Sequence, residues 1–145
     1  MKILIVEDED LKMKDIQRFV AELYPMAVID TSTSYADAVK RCYSVLYDFL
    51  ILDMNIPQYG RGDHDKTINS NGGEMIVREL YSEDIFIKFA FVSQYETVGE
   101  ESIASFDQRM VTYSPQTYCG FVFFEANDDA WKQKLSNILH NNLIC

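Results

Sequence analysis

The sequence predicts an α/β fold, an open five-stranded parallel sheet with helices on both faces. Three observations predict it. Short runs that are apolar throughout recur along the chain. Stretches with the apolar spacing of amphipathic helices lie between them. Acids or a hydroxyl residue follow several of the runs, at the sheet edge where such folds bind ligands.

The elements follow in order. Met1 to Val6 is an apolar run of the kind a buried parallel strand shows. Asp10 to Leu23 reads as a helix with Leu11, Ile16, Phe19, Val20 and Leu23 near one face, ended by Pro25. Met26 to Ile29 is a short strand. Hydroxyls from Thr31 to Ser34 can cap the next helix, whose apolar face is Tyr35, Ala38, Val39, Cys42, Tyr43 and Leu46. Phe49 to Leu52 is the third strand, left at Asp53. A polar stretch from Asn55 to Asn71, with Pro57, Gly60 and Gly62, is a loop. Gly73 leads into a helix carrying Met75, Ile76, Val77 and Leu80. Ile85 to Val92 is the fourth strand. Tyr95 to Phe106 has a weak helical pattern, and Asp107 to Tyr118 is ambiguous, with a turn at Pro115. Phe121 to Phe124 is the fifth strand. Asn127 or Asp128 caps a last helix with Trp131, Leu135, Ile138 and Leu139.

Composition bounds the function. At 48% hydrophobic, the chain carries enough apolar surface to fold, and 145 residues suit one domain. No apolar run approaches the roughly 18 residues of a membrane span. The first run meets Glu7-Asp8-Glu9-Asp10 at once, so it does not read as a signal peptide. A net charge of -10 argues against an electrostatic hold on nucleic acid or anionic lipid. Cys42, Cys119 and Cys145 are widely spaced and form no metal or disulfide pattern. A cytoplasmic protein with reduced thiols is expected.

The chemistry is expected at the strand ends. Strand one ends in Glu7 and Asp8, strand three in Asp53 and strand four in Ser93. Carboxylates converging on one edge repel, and either a raised pKa or a bound divalent cation relieves them. Oxygen ligands favour magnesium, or manganese in its place, over zinc. Taken alone, Glu7 and Asp8 also suit a solvated helix start.

The run Ile3-Leu4-Ile5-Val6-Glu7-Asp8-Glu9 resembles the opening of response-regulator receiver domains of two-component signalling. Asp53-Met54-Asn55-Ile56-Pro57 resembles their phosphoacceptor segment. Gly73 with the helix through Leu80, Phe91-Val92-Ser93, and Gly120-Phe121-Val122-Phe123-Phe124 resemble later family segments. The resemblance spans essentially the whole chain and implies a flavodoxin-like (βα)5 fold in one domain, residues 1–145, with an inserted loop at about 58–71. It implies that Asp53 takes a phosphoryl group from a histidine kinase or phosphotransfer protein. Glu7, Asp8, Asp53 and the backbone carbonyl of Asn55 would hold magnesium. Ser93 would hydrogen-bond the phosphoryl group, and Phe121 would be the switch aromatic. Output would pass to a protein effector through the face of helix four, strand five and helix five, or through a homodimer. For Phe121 simple packing is the competing account.

Three departures stand out. The family's lysine after strand five is replaced by Phe124, followed by Glu125. Glu7, Asp8 and Asp53 are then left without a fixed cation. A charge pair about 4 Å apart is worth about 4 kcal/mol at an effective dielectric of about 20, so the loss should weaken phosphorylation. The loop after Pro57 is longer than the family norm and carries Arg61, Asp63, His64, Asp65 and Lys66. Either it is a polar insertion, or Arg61 or Lys66 folds back as a substitute cation. The segment between Ser93 and Phe121 is also long, and its Tyr95, Phe106, Met110, Tyr113 and Tyr118 either form a protein-binding surface or cover the sheet.

A stand-alone receiver is therefore expected, with a phosphorylation-independent interaction module on the same fold as the alternative. An enzyme is not expected beyond the domain's own phosphorylation and dephosphorylation. An aspartate-nucleophile phosphatase would want a second acid two residues on, where Asn55 stands.

Overall fold

The computed structural model describes residues 1–59, 68–69, 71–95 and 97–143. Five parallel strands form the sheet: β1 (Lys2–Val6), β2 (Val28–Ser32), β3 (Phe49–Leu52), β4 (Phe89–Ser93) and β5 (Tyr118–Phe123). Their order is β2-β1-β3-β4-β5. Among the described residues five helices connect or follow them: α1 (Asp10–Leu23), α2 (Tyr35–Ser44), α3 (Gly72–Ser82), α4 (Ile103–Tyr113) and α5 (Ala130–Asn142). Two short antiparallel pairs join Ile56–Pro57 to Ile68–Asn69, and Thr97–Val98 to Glu101–Ser102.

The apolar runs become central strands because both of their faces are covered. Side chains alternate across a strand. Leu4, Val6, Leu50, Leu52 and Phe91 face a core filled by α2, α3 and α4, including Ala38, Ile76, Leu80, Phe106 and Met110. Ile3, Ile5, Phe49, Ile51 and Val92 face the other core, with Ile16, Val20, Trp131 and Leu135 from α1 and α5. Leu11 and Leu46, expected on apolar helix faces, are exposed.

Four elements differ from expectation: β2 runs Val28–Ser32 rather than Met26 to Ile29, β4 starts at Phe89 rather than Ile85, and α4 and β5 differ as follows. The fourth helix begins at Ile103 rather than near Tyr95, because Ser102 caps it by accepting the Ser105 N–H at 3.2 Å. The residues before it form the short Thr97–Ser102 hairpin instead. Strand β5 begins at Tyr118, earlier than expected, and absorbs an extra residue opposite β4, since Phe89 pairs with Tyr118 but Phe91 with Phe121. Gly120 takes that irregularity with a φ of 141°.

The aromatic segment between Ser93 and Phe121 covers the sheet. Phe106 and Met110 are fully buried, and Tyr113 stacks on Tyr81 at 5.4 Å. Of Tyr95, Phe106, Met110, Tyr113 and Tyr118, only Tyr95 is exposed. Among the described residues no helix is long and apolar enough to cross a membrane.

Strand order reverses between β1 and β3, since the chain steps to one side for β2 and to the other for β3. The carboxyl ends of β1 and β3 therefore border the crevice that such a reversal opens.

Candidate functional site

The crevice is built by backbone pairing. Glu7 leaves β1 with its N–H on the Ser32 carbonyl, and Asp53 leaves β3 with its N–H on the Val6 carbonyl, each at 3.0 Å. These bonds hold the two acids side by side, and both side chains are buried. Ser93 ends β4 and is 1% exposed; its hydroxyl accepts the Tyr95 N–H at 3.2 Å. The start of α3 presses on the same place, with the Gly73 N–H 3.3 Å from the Met54 carbonyl.

A lysine occupies the centre. Lys12 comes from the first turns of α1, and its side chain is 1% exposed. Its Nζ lies 2.7 Å from Glu7 Oε2, 3.1 Å from Asp53 Oδ1 and 2.8 Å from the Val92 carbonyl oxygen. The contact with Glu7 is a close ion pair between two buried side chains. Glu7 Oε1 accepts the Glu9 N–H at 3.0 Å.

The expectation that the acids lack a fixed cation is thus corrected. Phe124 does stand where the family has lysine, but the positive charge arrives from α1. The Lys12 ammonium lies 5.7 Å from the centre of the Phe124 ring. Arg61, His64 and Lys66, together with the rest of 60–67, lie outside the described residues.

Burial raises the pKa of both Glu7 and Asp53. For Glu7 the neighbouring Asp53 charge adds to this, and Lys12 opposes it at both residues. A buried carboxylate pair of this kind calls for positive charge.

Of the three carboxylates expected to hold magnesium, Glu7 and Asp53 are buried side by side. Among the described residues no three carboxylate, imidazole or thiol side chains gather round one point. Glu7 turns inward, while Asp8, the next residue, is only half-buried. Asn55 is half-buried two residues after Asp53. The donor chemistry still fits a hard divalent ion, because the pair offers buried carboxylate oxygens.

Phe121 lies in the core at 4% exposure, its ring 6.2 Å from that of Phe91 and 5.9 Å from that of Phe106. In this conformation its ring packs in the core.

No family model matches the chain. It is 28% identical to the Detocs response regulatory protein DtcB of Enterobacter cloacae strain JD6301, over 93% of this chain and 95% of that protein. Its fold is similar to the response regulatory domain of mrkE from Klebsiella pneumoniae, with a TM-score of 0.66 at 15% identity, covering 98% of this chain and 94% of that one. It is also similar to the response regulator protein TrrA from Thermotoga maritima, solved in complex with Mg(2+)-BeF, with a TM-score of 0.56 at 22% identity and coverage of 95% and 98%.

Proposed function

We propose that this chain, a response-regulator receiver domain, signals by accepting a phosphoryl group on Asp53. The observation that carries the proposal is the buried Asp53 carboxylate at the end of β3, held 3.1 Å from a lysine ammonium.

Asp53 is the nucleophile. One of its oxygens attacks phosphorus, and the bond to the donor's leaving group breaks. Glu7 lies beside it; burial, with the Asp53 charge added, raises its pKa to about 7, so a cation at the site favours its ionised form. Glu7, Asp8, Asp53 and the Asn55 carbonyl would hold magnesium, which when bound neutralises charge on the transferring phosphoryl group. Ser93, at the neighbouring strand end, would hydrogen-bond the bound phosphoryl oxygens and draw the segment after β4 toward them. The donor would be a phosphohistidine on a kinase or phosphotransfer protein. Output would run through contacts of the α4–β5–α5 face with a protein effector or a second copy, in the cytoplasm. Phe124 favours the alternative of a phosphorylation-independent module, but Lys12 removes much of that support, since the site has its cation.

Incubation with acetyl phosphate and magnesium, followed by intact-mass measurement, tests the proposal. The expected result is a gain of one phosphoryl group that Asp53→Ala abolishes. No gain in the wild type, or an equal gain in the variant, overturns it.

A further inference from the structure

We infer that Lys12 is the phosphoryl-binding cation of this site, supplied by α1 in place of a lysine at position 124. The inference rests on phosphoryl acceptance at Asp53 and deepens it.

Lys12 meets the ends of three strands at once. A lysine ammonium has three N–H donors and no acceptor. Here it faces three acceptors, the Glu7 carboxylate past β1, the Asp53 carboxylate past β3 and the Val92 carbonyl in β4. A charge this deeply buried is retained only where it is paired. Its partners include the nucleophile itself, so Lys12 touches a reacting group.

Position 124 borders the same spot from the other side. Phe124 is 3% exposed, its N–H donates to the Ser93 carbonyl at 2.8 Å, and its ring packs 5.0 Å from Trp131. The ring fills the room a lysine from β5 would take, while the ammonium enters from α1. The charge has stayed at the site, and the residue that carries it has moved.

Transfer from acetyl phosphate breaks the bond between phosphorus and the acetate oxygen and forms a bond between phosphorus and an Asp53 oxygen. Acetate leaves with the electron pair. Lys12 contributes charge and no proton: its N–H groups turn from the Asp53 carboxylate to the phosphoryl oxygens as negative charge builds there. Its bond to the Val92 carbonyl joins that movement to the end of β4, next to Ser93.

The test compares wild type, Lys12→Met and Lys12→Met/Phe124→Lys, each checked for folding by circular dichroism. Phosphoryl gain from acetyl phosphate is read by intact mass. The Lys12 Nζ resonance of the wild type is followed by 15N NMR as magnesium and beryllium fluoride are added. Lys12→Met is expected to slow phosphoryl gain about 100-fold, and Phe124→Lys to restore part of it. The Lys12 resonance is expected to shift with beryllium fluoride. Wild-type acceptance at an unchanged rate in Lys12→Met overturns the inference and leaves Asp53 as acceptor. An unmoved Lys12 resonance in a wild type that does bind beryllium fluoride overturns it too, and needs no variant to fold. No phosphoryl gain in the wild type fails the reading of Asp53, and the inference falls with it.

Discussion

Gly73 lies against the back of Asp53: a Cβ built on the glycine would collide with the Asp53 carbonyl oxygen and stand 3.1 Å from Phe91 Cε1. The obstructing atom is backbone, which cannot swing aside. Gly73→Ala must therefore move the first turn of α3 or the exit of β3. Overpacking of this kind costs about 1–3 kcal/mol. Urea denaturation is expected to show that loss, and phosphoryl gain at Asp53 to slow with it. Unchanged stability and rate would mean that α3 shifts freely.

Lys12 should matter to stability as well as to chemistry. Lys12→Met leaves Glu7 and Asp53 buried without a counter-charge. Breaking a buried ion pair on one side costs about 3–5 kcal/mol. Glu7→Gln in the same background removes one of the uncompensated charges and is expected to recover part of the loss. Chemical denaturation of both variants decides. If Glu7→Gln/Lys12→Met is no more stable than Lys12→Met, packing rather than charge explains the defect.

The acids were legible in the sequence and the lysine was not, for one physical reason. Ile3 to Val6 and Phe49 to Leu52 are apolar on both faces, so they announce central strands, and Glu7 and Asp53 follow them directly. A charged residue early in a helix ordinarily belongs to the solvated face. Leu11 therefore reads as the buried residue, yet it is 71% exposed while Lys12 is 2% exposed. The signal was present in the spacing: Lys12, Ile16 and Val20 follow one another at four-residue steps, which places all three on the buried stripe of α1. The start of α4 was hidden differently. Phe106 and Met110 are the buried residues on that helix, too few to mark its start by periodicity. Its capping Ser102 marks the boundary better than its periodicity does.

Cys42 should be inert in the folded protein. Burial pushes its thiol up to about 12, and the thiolate is the reactive form. At pH 8 iodoacetamide is expected to leave Cys42 unlabelled in the native chain and to label it fully in urea, as read by peptide mass spectrometry. Fast labelling without denaturant would place Cys42 in a part of α2 that opens locally.

Glu74 should steepen the acid limb of stability. It is 5% exposed and is gripped by Arg109, whose Nη1 and Nη2 lie 2.8 Å from Oε2 and Oε1, while Arg78 Nε lies 2.7 Å from Oε2. Arg109 also reaches Glu101 at 3.0 Å, so one guanidinium fastens α3 to α4 and to the Thr97–Ser102 hairpin. The hydrogen bonds from Arg109 are the chief cause that holds the Glu74 carboxyl below its ordinary value of 4.5, against burial. A carboxyl depressed in the folded state stabilises it above the unfolded value and loses that contribution as pH falls through the folded one. Glu74→Gln is therefore expected to cost about 1–3 kcal/mol at pH 7, where charged hydrogen bonds are lost. The gap between the two proteins should narrow as pH drops below about 4.5, because the wild type then loses what the variant never had. Urea denaturation of both from pH 3 to pH 7 measures it. A gap that stays constant with pH would show that the ionised Glu74 does not hold α3 and α4 together.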